Sequence, residues 1–183
     1  MATKLTFITG NAGKAAYVAK ALGQLIDHHK LDLDELQSMD LRTIVAHKVQ
    51  QAYDHLQAPV LVEDVALECH ALGRLPGPFI KWFIEEAGNQ KICDMLGAFE
   101  DRSATARICY GLHDGTTVQF FEASMEGHIA AAPRGGQGFG WDQIFVSQGM
   151  DRTRAELTEA ENHATSMRYE PLQKIAAWLK NLG

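Results

Sequence analysis

Cysteine is scarce in this 183-residue sequence, with only Cys69, Cys93 and Cys109 present. The three are widely spaced, odd in number and form no CxxC pair. That excludes a disulfide-stapled miniprotein, a zinc ribbon and a thioredoxin-like redox motif, and it points to a reducing compartment, the cytoplasm. No apolar run approaches the ~18 residues of a membrane helix. The first eight residues, Met1 to Ile8, contain no apolar leader region or cleavage site, so no secretory signal is expected. Basic charge is in deficit: 17 Lys and Arg stand against 23 Asp and Glu, for a formal net charge of −6. Nonspecific nucleic-acid binding depends on neutralising phosphates with basic residues, so neither nucleic acid nor membrane is an expected partner. The eight histidines show no metal-ligand spacing. No GxSxG elbow and no Cys–His pairing stands out. Internal repeats, low-complexity tracts and linker-like stretches are also missing. What the chain does have is apolar content, at 46%, enough for the core of one domain spanning residues 1–183.

The order of apolar segments and breakers predicts an α/β fold. Leu5 to Thr9 reads as a buried strand that ends at the turn Gly10-Asn11. Ala12 to Leu22 follows with helical spacing and stops at Gly23. Strand, glycine turn and helix open an α/β domain. A second helix begins at Leu41 and carries Ile44, Val45, Val49, Ala52, Tyr53 and Leu56 on its apolar face. Pro59 ends it, and Val60-Leu61-Val62 forms a buried strand with Glu63-Asp64 at its far end. Leu75-Pro76-Gly77-Pro78 predicts a rigid loop, Phe79 to Glu86 a helix, and Lys91 to Leu96 another helix that Gly97 stops. Asp114-Gly115 between Ala104–Leu112 and Thr116–Ala123 predicts a hairpin with a type I′ turn. Pro133 to Gly140 is a glycine-rich loop, and Gln143 to Val146 is the last strand. Thr158-Glu159-Ala160-Glu161 has capping-box form. Pro171 is placed to restart or kink a terminal helix that buries Leu172, Ile175, Ala176 and Leu179.

Three segments can carry chemistry. Thr9-Gly10-Asn11-Ala12-Gly13-Lys14 sits at a strand-to-helix turn, where backbone amides and a lysine attract phosphate. It is not a Walker A loop, because Ile8 stands where that motif needs its first glycine and Ala15 where it needs Ser or Thr. A P-loop kinase is thereby disfavoured. Glu63-Asp64 and the earlier Asp34-Glu35 offer carboxylates of the kind that bind Mg²⁺, although on these residues alone the favoured reading is that Glu63-Asp64 begin a surface loop. Pro133 to Asp142 combines backbone-exposing glycines with Phe139 and Trp141, which can stack on a base, and with Asp142, which can accept base N–H groups.

In this order, the segments resemble the inosine triphosphate pyrophosphatase, or Ham1-like, family. The likeness runs from Phe7 to about Leu179. It is carried by Phe7-Ile8-Thr9-Gly10-Asn11, Val62-Glu63-Asp64, Leu75 to Phe83 (LPGPFIKWF), Ala132-Pro133-Arg134-Gly135, Phe139-Gly140-Trp141-Asp142 and Ser166-Met167-Arg168. The resemblance implies an elongated mixed sheet flanked by helices, with two lobes around a central nucleotide cleft, and a homodimer. It implies Mg²⁺-dependent hydrolysis of purine nucleoside triphosphates such as ITP, dITP and XTP to the monophosphate and pyrophosphate. By the same resemblance, Thr9, Gly10, Asn11, Lys14, Lys48 and Lys81 hold the triphosphate, and Glu35 and Asp64 hold Mg²⁺. Asp64 also activates water, with Glu63 a second candidate. Phe139, Gly140, Trp141, Asp142 and Arg168 line the base pocket.

Two positions depart from the family pattern. Asn162 stands where the family has a lysine that touches substrate, and Met167 where it has a base-contacting histidine. A methionine cannot donate a hydrogen bond to a purine carbonyl, so altered base selectivity is expected. The alternative is a nucleotide-binding protein of the same fold with little turnover. Retention of both Glu35 and Asp64 favours the enzyme.

Overall fold

The computed structural model describes residues 5–181; the leader reading falls partly on residues 1–4, which lie outside the described part. The elements in chain order are β1 (Thr6–Ile8), α1 (Ala12–Leu22), β2 (Asp27–His29), α2 (Leu41–Leu56), β3 (Val60–Cys69), β4 (Pro76–Gly77), α3 (Ile80–Glu86), α4 (Gly88–Met95), β5 (Ser103–His113), β6 (Val118–Ile129), β7 (Phe145–Ser147), α5 (Glu159–Ala164) and α6 (Tyr169–Asn181). The strands hydrogen-bond in the order β2-β1-β3-β5-β6-β7, with β4 on β3. β1 runs parallel to β2 and β3, whereas β4 is antiparallel to β3 and β7 to β6. The result is a mixed seven-stranded sheet with helices, the α/β class that the sequence predicts.

By contacts the chain divides into two compact units. The first comprises the described residues of Met1–Asp64, Ile108–Ala123 and Arg168–Gly183; the second comprises Val65–Arg107 and Ser124–Met167. In the first unit, α1 forms with the bounds the sequence predicts. The Asn11 side chain accepts the Lys14 N–H at 3.0 Å, and Gly23 closes the helix at φ 66, the left-handed cap that glycine adopts without penalty. α6 packs against α1. Phe7, Val18, Leu61, Leu172 and Ile175 are all buried in this unit. α2 starts at the Asp40 cap and buries Ile44, Val45, Val49 and Ala52. It approaches the sheet so closely that a Cβ on Gly111 would lie 2.7 Å from Val45 Cγ1, so only glycine fits there.

The second unit holds α3, α4, α5 and β7, with Leu67, Ile80, Ile92, Leu96, Phe145 and Leu157 buried. Thr158 and Glu161 form the capping box that the sequence predicts. Thr153 and Glu156 form a second one on a 3₁₀ turn.

Several expectations need correction. β3 does not end at Val62: it runs ten residues to Cys69, which makes Glu63 and Asp64 mid-strand residues. Ion pairing keeps these acids in the sheet where a sequence reader sees a break. The Leu75–Pro78 loop contains β4, and the helix after it begins at Ile80 rather than Phe79. The helix expected from Lys91 starts earlier, at Gly88. The β5–β6 connection is not type I′, which needs positive φ at both central residues; only Gly115 has one. Instead the Asp114 carboxylate accepts the N–H groups of Thr116 and Thr117 at 2.7 Å each, a side-chain turn. Ala176 and Leu179 are half-buried rather than core, and Pro171 sits harmlessly in the first turn of α6.

Candidate functional site

Glu63 and Asp64 are consecutive in β3, so their side chains leave opposite faces of the sheet. Their partners differ accordingly. The Glu63 side chain is only 3% exposed and is bound four ways. Its Oε1 accepts from Lys14 Nζ at 3.1 Å and from Arg168 Nη2 at 3.0 Å. Its Oε2 accepts from Tyr110 Oη at 2.7 Å and from Arg168 Nε at 3.2 Å. Burial alone would raise the carboxyl pKa. The charges of Arg168 and Lys14, with the hydrogen bonds from Arg168 and Tyr110, outweigh that and hold Glu63 well below the usual carboxylate range. Burial, and then the Glu63 charge, push the Tyr110 phenol well above its ordinary value of 10, so Tyr110 remains a donor.

On the other face, Asp64 Oδ2 accepts from Lys48 Nζ at 2.7 Å, and the same ammonium lies 3.9 Å from Glu35 Oε1. Lys48 comes from the middle of α2. Glu35 lies in an irregular stretch that α2 itself anchors, because Gln51 accepts the Asp34 N–H at 3.0 Å and donates to the Asp34 carbonyl at 3.2 Å. Two carboxylates thus converge on a single cation. That donor set suits a hard dication, which takes one or two carboxylates and fills its remaining positions with water and phosphate oxygens. Among the described residues no cluster of three or more His, Cys, Asp or Glu side chains forms a fuller metal cage.

Thr9, Gly10 and Asn11 lie where β1 hands over to α1, and Thr9 Oγ1 accepts the Asn11 N–H at 3.1 Å. The first unit therefore carries Thr9, Gly10, Asn11, Lys14, Glu35, Lys48, Asp64 and Arg168 of the predicted site, with Lys14 and Arg168 meeting at Glu63 on one face of β3 and Glu35 and Lys48 gathered at Asp64 on the other.

The second unit carries Lys81, Phe139, Gly140, Trp141, Asp142, Asn162 and Met167. Lys81 is exposed on α3, with Nζ 4.8 Å from the centre of the Trp82 ring. Phe139 is 49% exposed, whereas Met167 is buried. The 139–142 turn is tied internally: Asp142 Oδ2 accepts the Phe139 N–H at 3.0 Å, and Asn89 Nδ2 donates to the Gly140 carbonyl at 2.9 Å. Gly138, at φ +80, lies so near that a Cβ there would stand 2.3 Å from Asp142 Oδ2.

Sequence reasoning missed Tyr110, Gln51 and Arg154. Tyr110 could have been suspected as an aromatic inside a run that predicts a buried strand. Gln51 and Arg154 carry no sequence signal, since polar residues next to a helix face or a capping box are ordinarily solvated.

Fold and side chains together define an α/β protein whose central strand presents two carboxylates, each held by basic side chains from elsewhere in the chain. The chain belongs to the Ham1 family, which it matches over residues 5–178. It is 39% identical over 190 aligned residues to the inosine triphosphate pyrophosphatase of Scheffersomyces stipitis, covering 96% of this chain and 97% of that one. It is 41% identical to the inosine triphosphate pyrophosphatase of Pyricularia oryzae, covering 95% and 92% of the two chains. The solved structure of a HAM1 protein from Coxiella burnetii superimposes with a TM-score of 0.85 at 26% identity, covering 98% of this chain and 99% of that one.

Proposed function

We propose that the chain is a Mg²⁺-dependent nucleoside triphosphate pyrophosphohydrolase that acts on purine nucleotides of the ITP, dITP and XTP type with an altered base selectivity. Water attacks the α-phosphorus, the bond to the α–β bridging oxygen breaks, and the products are the nucleoside monophosphate and pyrophosphate. The observation that carries this is the convergence of Asp64 and Glu35 on Lys48, at 2.7 and 3.9 Å. A site for phosphoryl chemistry needs charge neutralisation and positioning more than covalent catalysis, and this cluster supplies both signs of charge in one place. Glu35 and Asp64 would hold the metal ion, which would supply neutralisation of the phosphate charge. Asp64 orients the attacking water and accepts its proton. Lys48, Lys14 and Lys81 bind phosphate oxygens, together with the amides of Thr9, Gly10 and Asn11 at the start of α1. Phe139 to Asp142, with Arg168, take the base.

The cytoplasm is the proposed location, in keeping with three cysteines that are all free thiols. A homodimer is the proposed assembly, on the family resemblance.

A pyrophosphate-release assay over the common and deaminated triphosphates with Mg²⁺ tests the proposal. The expected products are monophosphate and pyrophosphate, and EDTA should abolish the reaction. Chromatography that instead finds a diphosphate and orthophosphate would assign cleavage to the γ-phosphate and sink the reading.

A further inference from the structure

A second charged network lies in the second unit, around a guanidinium in an unusual place. Arg154 is only 6% exposed, and arginine is almost never buried without dedicated partners. Its Nε stands 3.6 Å from Asp142 Oδ1. Its Nη2 donates to the Asn162 side-chain oxygen and to the Asn162 carbonyl, the latter at 3.1 Å. Its Nη1 reaches the Thr165 carbonyl at 3.4 Å and Ser147 Oγ at 3.5 Å. Asn162 returns a bond from Nδ2 to the Arg154 carbonyl at 3.0 Å. Asn162 thus grips residue 154 by both its side chain and its backbone.

The other end of the network is the 139–142 turn. Asp142 uses one carboxylate oxygen for Arg154 and the other for the Phe139 N–H at 3.0 Å. Asn162, Arg154, Asp142 and Phe139 therefore form one continuous chain of polar contacts. A guanidinium is a planar fork with fixed donor directions, so it fixes an orientation as well as a charge.

We propose that Arg154, braced by Asn162, is the positioning residue that sets Asp142 and the Phe139–Asp142 turn, and through them nucleobase recognition but not triphosphate binding. This rests on the preceding assignment of that turn to the base. Asn162 serves as the brace, and Arg154 acts through Asp142.

The test compares wild type with Arg154→Lys, Arg154→Met and Asn162→Asp. The first keeps the charge without the fork, and the second removes the charge. The third changes one functional group and draws the guanidinium away from Asp142 while opposing the Arg154 carbonyl. Three quantities are read at saturating Mg²⁺: KM and kcat for inosine triphosphate, and the inhibition constant of inorganic tripolyphosphate, which has phosphates and no base. The expected result is a KM at least about tenfold higher in all three variants, with kcat within about threefold of wild type and tripolyphosphate inhibition within about twofold. Tenfold corresponds to ~1.4 kcal/mol, below the range of one lost charge-assisted contact. An unchanged KM, or a KM and a tripolyphosphate constant that rise in parallel, overturns the proposal. If the arginine variants do not fold, Asn162→Asp decides alone. A wild type that hydrolyses no nucleoside triphosphate overturns both this proposal and the assignment beneath it, whereas an active wild type with parallel losses overturns this one only.

Discussion

Asp64→Asn is expected to lower kcat at least ~100-fold, the scale on which a positioned acid–base group contributes. The substitution is nearly isosteric and removes the charge that faces Lys48 across 2.7 Å. An amide takes a proton from water poorly and is a weak ligand for a hard cation, so both proposed roles fail together. Asp64 is part-buried, at 18% side-chain exposure, and its partner Lys48 keeps Glu35 nearby, so the fold should survive. Steady-state kinetics with a matched thermal melt separates the two effects. Turnover unchanged in a folded Asp64→Asn would remove the residue from the chemistry.

Its neighbour should behave in the opposite way. Glu63→Gln is expected to cost about 3–5 kcal/mol of folding stability, the penalty for breaking a buried ion pair by removing one partner. For a chain of this size that is a fall in Tm on the order of 10 °C. The amide keeps the shape but leaves Lys14 and Arg168 facing a neutral group in a nearly closed site. The pH dependence carries a further signature. Glu63 titrates well below its ordinary 4.5 in the folded protein and near 4.5 when unfolded. Its contribution is therefore complete above about pH 4.5 and drains away as pH falls towards the folded value. Wild type should lose its advantage over Glu63→Gln progressively below pH 4.5, while the difference stays constant from pH 5 to 7. Urea melts of both proteins across that range check this. Other carboxylates, such as Glu161, with its pKa lowered to about 2 mainly by Arg152, titrate in both proteins and cancel in the difference.

The contrast between the two acids shows where sequence reasoning reaches its limit. α1 was legible to the residue because its signals are local: Asn11 before it, Gly23 after it, and apolar spacing between. The Thr158 capping box was legible for the same reason. β2 was not, since Asp27-His28-His29 is polar and exposed and becomes a strand only by pairing with β1. The candidate site was legible as a set of residue types near glycine turns. Its wiring was not. Nothing in the spacing of Lys14, Glu63 and Arg168 says that they meet, because 105 residues separate the last two. The resemblance marked Asp64 as the candidate acid, whereas the different surroundings of Asp64 and Glu63 follow from strand alternation and from which helix supplies the partner of each. Arg154 was invisible for a different reason, since burial of a guanidinium depends on acceptors supplied by residues distant in sequence.

That alternation also decides which kinds of genetic change β3 can absorb. Single replacements at Val60, Leu61 or Val62 alter packing by a methyl group or two and leave the register intact. Deleting or inserting one codon there is another matter. With a side-chain period of two, a shift of one residue sends every later side chain to the wrong face. An insertion would deliver Glu63 to the position beside Lys48, and a deletion would deliver Asp64, one methylene shorter, to the position facing Lys14, Tyr110 and Arg168. Either lesion would therefore displace both carboxylates together, the Glu63 of the buried ion pair and the Asp64 proposed for the chemistry, although each sits in surroundings independent of the other. Variation in β3 should accordingly take the form of changed letters at fixed length, with gains and losses of residues confined to the loops on either side.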